Sequence, residues 1–150
     1  MKLLVIGGGN MGLTYAKGIH NAQLLGEEIM VLQKSEESIA RLKKEEPQFK
    51  VFNSAEDCVP IADIIMIAVK PFHSEDLFKQ IKPFVKKDQL IISVMAGVKI
   101  STIQDGLGLD KIIRSMPNLP AMINQGMTTF TGSDKVSNEE LKIVEKLLSS

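Results

Sequence analysis

The sequence predicts an open, doubly wound α/β domain: a mostly parallel sheet with helices on both faces. Three observations carry that expectation. Short apolar runs recur along the whole length with helical patterns between them, the alternation that builds β-α-β units. The run from Asp63 to Val69 is apolar almost throughout, as a parallel strand covered on both faces requires. The first run, Leu3-Leu4-Val5-Ile6, ends in Gly7-Gly8-Gly9-Asn10-Met11-Gly12 and passes straight into a helical pattern.

Gly7, Gly9 and Gly12 fit the spacing G-x-G-x-x-G, and each glycine has its own physical task. The first allows the tight turn at the strand end, the second lets backbone approach a pyrophosphate, and the third lets the helix pack on the strand. The helix start adds unpaired N–H groups and a positive dipole end. Glycine turns are common, so the pattern alone is weak. Its place between an apolar strand and a helix makes it a dinucleotide site of Rossmann type.

Downstream, Met11, Tyr15, Ile19 and Ala22 form one helical stripe, with Gly26 expected to close the connection. His20 on this helix is read as a surface or helix-end residue rather than a catalytic base. Ile29 to Leu32 is the second strand, and its tip decides the cofactor. An NAD site wants a carboxylate there for the ribose 2′-hydroxyl. This chain has Gln33-Lys34-Ser35, a cation and a hydroxyl suited to a 2′-phosphate, so NADP(H) is expected. The plainer reading is a solvated Lys34 and a Ser35 that caps the next helix, whose first turn holds Glu36 and Glu37.

Ile39 and Leu42 mark a short helix ending before Pro47, and Lys50-Val51-Phe52 a brief strand with Asn53 or Ser54 at its tip. Ser54 with Asp57 resembles an N-cap pair. The Asp63–Val69 strand stops at Lys70-Pro71, where proline ends ladder pairing. Leu77, Phe78 and Ile81 predict a helix ending near Pro83, and Leu90 to Val94 a strand leading into Met95-Ala96-Gly97. Ser101 and Gln104 have capping-box spacing for a helix around Ile103. Lys111 to Ser115 is a strand running into Met116-Pro117-Asn118, and Gly126 to Thr131 an outer strand. Ser137 with Glu140 is a capping box for a last helix with Leu141, Val144, Leu147 and Leu148 inward.

Composition narrows the function classes. A chain of 150 residues suits one domain with its own core, and 44% hydrophobic with 24% charged residues is ordinary for a soluble protein. Eighteen basic and eighteen acidic residues balance without a basic block, which argues against nucleic acid or anionic membrane as partner. The single cysteine, Cys58, suits a reducing compartment and reads as a small core residue before it reads as a reactive thiol. No signal peptide is visible, and the longest apolar stretch, Ile61 to Val69, is too short to span a bilayer. A cytoplasmic protein is expected, with no metal site and no obvious acid–base residue.

The unusual residues gather at the strand tips, where ligands of such sheets bind. Gly-Gly-Gly-Asn-Met-Gly at 7–12, Ala-Val-Lys-Pro at 68–71, Ser-Val-Met-Ala-Gly-Val at 93–98 and Arg-Ser-Met-Pro-Asn-Leu-Pro at 114–120 occur in this order. With Gly126-Met127-Thr128 they make the chain resemble pyrroline-5-carboxylate reductase from Met1 to the last helix. The resemblance implies hydride transfer from NADPH, less often NADH, to the C=N carbon of 1-pyrroline-5-carboxylate, giving L-proline. By matching motif, it implies that Ile6, Gly7, Gly8, Gly9, Asn10 and Met11, with Gly12 closing the turn, hold the pyrophosphate and adjoining ribose. Lys34 and Ser35 would face the 2′-phosphate, and Asn53 the adenosine half. Ala68, Val69, Lys70 and Pro71, with Met95, Ala96 and Gly97, would line the nicotinamide side, and Asn118 would lie near the dihydronicotinamide and substrate. No residue is assigned a catalytic proton transfer.

Members of that family are longer, with a C-terminal helical domain that dimerises and completes the substrate pocket. Nothing in 1–150 resembles that domain. Two explanations are open, an excised cofactor domain or a natural protein that has lost the other half; the first is favoured, with a further strand expected just beyond Ser150, and the chain is expected to bind NADPH but turn over imine poorly or not at all. The full-length form is expected to be a homo-oligomer acting on a small cyclic imine carboxylate. Competing readings are another NADP-linked enzyme with a similar domain, such as a hydroxyacid dehydrogenase or a deazaflavin-linked reductase, and a non-catalytic NADP(H) sensor.

Overall fold

β1 (Leu3–Ile6) is buried at every residue because both of its faces are covered. In this computed structural model, which describes residues 1–7, 10–23, 29–117 and 128–148, β1 lies inside a seven-stranded sheet. The other strands are β2 (Met30–Leu32), β3 (Lys50–Phe52), β4 (Ile64–Ile67), β5 (Leu90–Ser93), β6 (Ile112–Pro117) and β7 (Thr128–Gly132). Their spatial order is β3-β2-β1-β4-β5-β6-β7. All neighbours pair in parallel except β6 and β7, which are antiparallel, with Ser115 opposite Phe130.

The helices are α1 (Asn10–Asn21), α2 (Glu36–Glu45), α3 (Ala55–Cys58), α4 (Ser74–Ile81), α5 (Ile100–Leu107) and α6 (Asn138–Leu148). Side chains alternate across each strand, so the sheet divides the core in two. Leu4, Ile6, Ile65, Ile67 and Ile91 point to the face that holds Leu77, Phe78 and Ile81 of α4 and Ile103 of α5. Leu3, Val5, Ile64, Met66 and Ile92 point to the other, with Ile19 of α1, Leu42 of α2 and Val144 of α6. This is the expected doubly wound architecture.

Several local expectations need correcting. β4 is shorter than the apolar run: Asp63 lies outside it, its carboxylate accepting from the Lys2 N–H at 2.7 Å. Ser54 precedes α3 in extended backbone, yet its hydroxyl makes no cap bond; its carbonyl accepts from the Asp57 N–H at 3.2 Å instead. Ser101 lies inside α5, which starts one residue earlier after Lys99 and has no side-chain cap. β6 runs past Ser115 to Pro117, and the described outer strand begins at Thr128. Ser137 and Glu140 do form the reciprocal box, at 3.1 and 3.0 Å. His20 is exposed in the last turn of α1, edge-on to Phe49. The position of Gly26 lies outside the described residues.

Candidate nucleotide-binding cleft

Because β1 to β6 run the same way, their carboxyl ends share one edge of the sheet. From β1 the chain winds outward through β2 and β3, then crosses back to β4 on β1's other side. Loops leaving β1 and β4 therefore diverge to opposite faces, which opens a crevice between them.

The glycines fit this switch point. Gly7 has φ of +97°, a conformation L side chains rarely adopt, and a Cβ there would stand 3.0 Å from the Ala68 carbonyl. A Cβ on Gly12 would sit 2.3 Å from the Gly7 oxygen and 3.2 Å from both Ala68 Cβ and Val5 Cγ1. The first glycine thus permits the turn and the third permits the packing of α1 on β1. Gly8 and Gly9 lie outside the described residues, as do the side chains of Asn10 and Met11, whose backbone opens α1.

Beside this turn is a cleft of about 300 Å³. Ile6 and Gly7 of the β1 end, Leu32 and Gln33 of the β2 end, and Lys34 and Ser35 form one side. Asn53 and Ala55 follow from the β3 end, and after the crossover Val69, His73, Leu77 and Gln80 close the far side. The strand tips are knit by backbone: the Gly7 N–H donates to Leu32 at 3.4 Å, and the Gln33 N–H to Phe52 at 2.9 Å. Ser35 caps α2, its hydroxyl accepting from the Ser38 N–H at 3.3 Å, so it fills the capping role and lines the cleft as well.

Electrostatically, Lys34 is an exposed cation at the rim, and no described lining residue is a carboxylate. The nearest acids in sequence, Glu36 and Glu37, occupy the first turn of α2. The cleft can therefore accept a nucleotide with an added phosphate at the β2 tip.

Six of the expected binding residues meet in this cleft: Ile6, Gly7, Lys34, Ser35, Asn53 and Val69. Gly12 and Ala68 support it from behind the turn. Lys70 and Pro71 are exposed in the 3-10 turn after β4 and do not line it. Met95 turns its side chain into the core, and its N–H is engaged by the Ser93 hydroxyl at 3.2 Å. Ala96 and Gly97 are exposed beyond the β5 tip, and Asn118 lies outside the described residues. Sequence reasoning missed His73, Leu77 and Gln80 as lining residues. The signal available was their spacing of four and three on one face of the helix after β4.

A larger cavity of about 430 Å³ lies at the opposite edge, against Asp63, Gln89 and Leu90. Gln89 there is buried and structural, donating to the carbonyls of Val59 and Ala62 at 2.6 and 2.8 Å and accepting from the Lys86 N–H. Cys58 is also structural: its thiol is buried and bonded to the Ser54 carbonyl at 3.5 Å, and desolvation, helped by the Asp57 charge, pushes it up to about 11. Among the described residues no three His, Cys, Asp or Glu side chains cluster to hold a metal ion, and no helix is long and apolar enough to cross a membrane.

Fold and cleft together define a dinucleotide-binding oxidoreductase domain. The chain belongs to the family of NADP oxidoreductases, coenzyme F420-dependent, whose model matches residues 2–97. It is 39% identical over 143 residues to the pyrroline-5-carboxylate reductase of Escherichia coli (strain K12), an alignment covering 93% of this chain and 52% of that protein. Among solved structures it is similar to Plasmodium falciparum pyrroline carboxylate reductase with NADP bound, at 28% identity and a TM-score of 0.80 over 98% of this chain and 53% of that one. The pyrroline-5-carboxylate reductase of Coxiella burnetii aligns with a TM-score of 0.85 at 25% identity, covering 97% and 54%. The chain spans about half the length of the curated relatives it matches.

Proposed function

We propose that this chain is the NADP(H)-binding half of a reductase that converts 1-pyrroline-5-carboxylate to L-proline, with NADPH preferred over NADH. The observation that carries the reading is the pairing of Lys34 and Ser35 with the Gly7 turn in one cleft that no described carboxylate lines. Kinship with reductases of that name supports the substrate class.

When bound, the coenzyme supplies the hydride. The remaining work belongs to the protein. The turn from Ile6 to Gly12 and the start of α1 take the pyrophosphate. Lys34 and Ser35 take the 2′-phosphate, and Asn53 approaches the adenosine half. Ala68 to Pro71, Met95 to Gly97 and Asn118 border the nicotinamide side. A cyclic imine protonated near neutral pH needs no strong protein acid, so the protein's main task is to hold donor and acceptor carbons close and aligned. We further propose residues 1–150 as one cofactor domain of a longer cytoplasmic protein that associates through the rest of its chain and completes its substrate pocket there.

The test is fluorescence titration of NADPH and NADH into the wild type and Lys34→Ala. Loss of one charge-assisted contact is expected to weaken NADPH about tenfold and leave NADH unchanged. Equal affinities in the wild type overturn the NADPH preference, and no binding of either overturns the whole reading.

A further inference from the structure

We propose that the cavity at the amino edge of the sheet seats a second copy of this chain in a two-fold interface, with the turn from Lys86 to Asp88 on the axis. This edge lies across the sheet from the nucleotide cleft, so the interface and the coenzyme site are independent. One wall of the cavity is the 3-10 turn Val59–Ile61 that leads towards β4, a second is the turn at 86–89 before β5, and a third is the start of α6, which brings Ile143. Gln89 ties the first two together from beneath. Its amide donates to the Val59 and Ala62 carbonyls at 2.6 and 2.8 Å, and its oxygen accepts from the Lys86 N–H at 2.8 Å. Both walls are therefore fixed before anything binds, which lowers the ordering cost of association.

Three large apolar side chains are exposed among the described residues, and two of them, Met1 at 53% and Ile61 at 46%, line this one cavity. Exposed apolar groups gathered in a hollow with a charged rim mark an interaction site. The charges say which partner fits. Glu140 is already held by Lys111 at 3.2 Å, and the Asp63 carboxylate accepts from the Lys2 N–H. Lys86, Lys87 and Asp88 make no ion pair among the described residues, although Lys86 and Asp88 both stand on the rim. Next to the hollow, Phe84 and Val85 are only half-buried, with Lys82 on one side and Lys86 on the other. A surface that carries an apolar hollow, an apolar ridge and unpaired charges of both signs is complementary to itself. A two-fold axis sets each feature against its opposite. Close to the axis Lys86 meets the partner's Asp88, and Asp88 the partner's Lys86, while Ile61 packs against the ridge of the other copy.

The experiment is sedimentation velocity of this chain over a concentration series, at low and high salt, with thermal unfolding as a check on the fold. The wild type is expected to approach twice the mass of the single chain, and less readily as salt screens the axial charges. Ile61→Asp, Lys86→Glu and Asp88→Lys should each weaken dimerisation about tenfold, because each brings charge into the apolar contact or like charges together. The double variant Lys86→Glu with Asp88→Lys restores opposite signs and should return to within about threefold of wild type. A wild type that stays monomeric overturns the proposal and leaves the cavity to a different protein or to a further length of chain. A dimer that all three single variants leave within about twofold of wild type forms elsewhere and overturns it as well. A double variant no tighter than the single ones overturns the axis at Lys86 and Asp88.

Discussion

A methyl group at position 12 would meet the carbonyl oxygen of Gly7 at 2.3 Å, and neither backbone segment is free to withdraw. Gly12→Ala is expected to cost about 1–3 kcal/mol, read as a lowered urea midpoint, and to weaken coenzyme binding by distorting the turn. Cys58 makes the opposite point about single residues. With its thiol pushed up to about 11 by burial and the neighbouring Asp57 charge, it should stay unlabelled by thiol reagents near pH 7.5 in the native protein. Labelling should become rapid only in denaturant; fast native labelling would contradict the burial. Both roles were legible from sequence, because strand–glycine–helix order and a lone cysteine with no disulfide partner in the chain each have few physical solutions. The cleft roles of His73 and Gln80 were not. An exposed polar residue on a helix carries no periodic signal, and only the fold shows what it faces.

At the scale of elements, three pairs, Ser54 with Asp57, Ser101 with Gln104 and Ser137 with Glu140, share the spacing of a capping box, and only the last makes its reciprocal bonds. Ser137 and Glu140 exchange them, and Glu140 also pairs with Lys111 at 3.2 Å. Ser54 and Ser101 do not make side-chain caps. Ile100 packs against the core, and α5 already begins at that residue, carrying Ser101 inside the helix. Spacing says which residues could cap; the apolar anchor says where the helix begins. Ser137→Ala should cost about 1 kcal/mol in urea unfolding. Burial pushes the Glu140 carboxyl up, but its bonds with Ser137 and its Lys111 partner outweigh this and hold it below its ordinary 4.5. A lowered carboxylate contributes stability that is present above the unfolded value and lost as pH falls through the folded one. Thermal midpoints measured from pH 6 to 3 should therefore fall less for Glu140→Gln than for the wild type.

For the whole molecule, the parallel sheet was legible because apolar runs alternated with helices across the chain. The order β3-β2-β1-β4-β5-β6-β7 and the reversal of β7 were not, since pairing partners leave no mark on local pattern. The Asn118 assignment lies outside the described residues. A ligand that binds only the folded state stabilises it by about 2.7 kcal/mol at a hundredfold excess over Kd. For a chain of this size that corresponds to a rise in Tm of about 5–10 °C. NADPH should produce that shift in a thermal melt, and no shift at saturating concentration would contradict binding at this cleft.

The cleft draws one side from the wing wound through β2 and β3 and the other from the helix that follows β4, with the central strand between. A chain that has assembled a single wing keeps its glycine loop yet has nothing with which to grip. A ligand of this cleft would therefore stabilise only those chains in which both halves have closed.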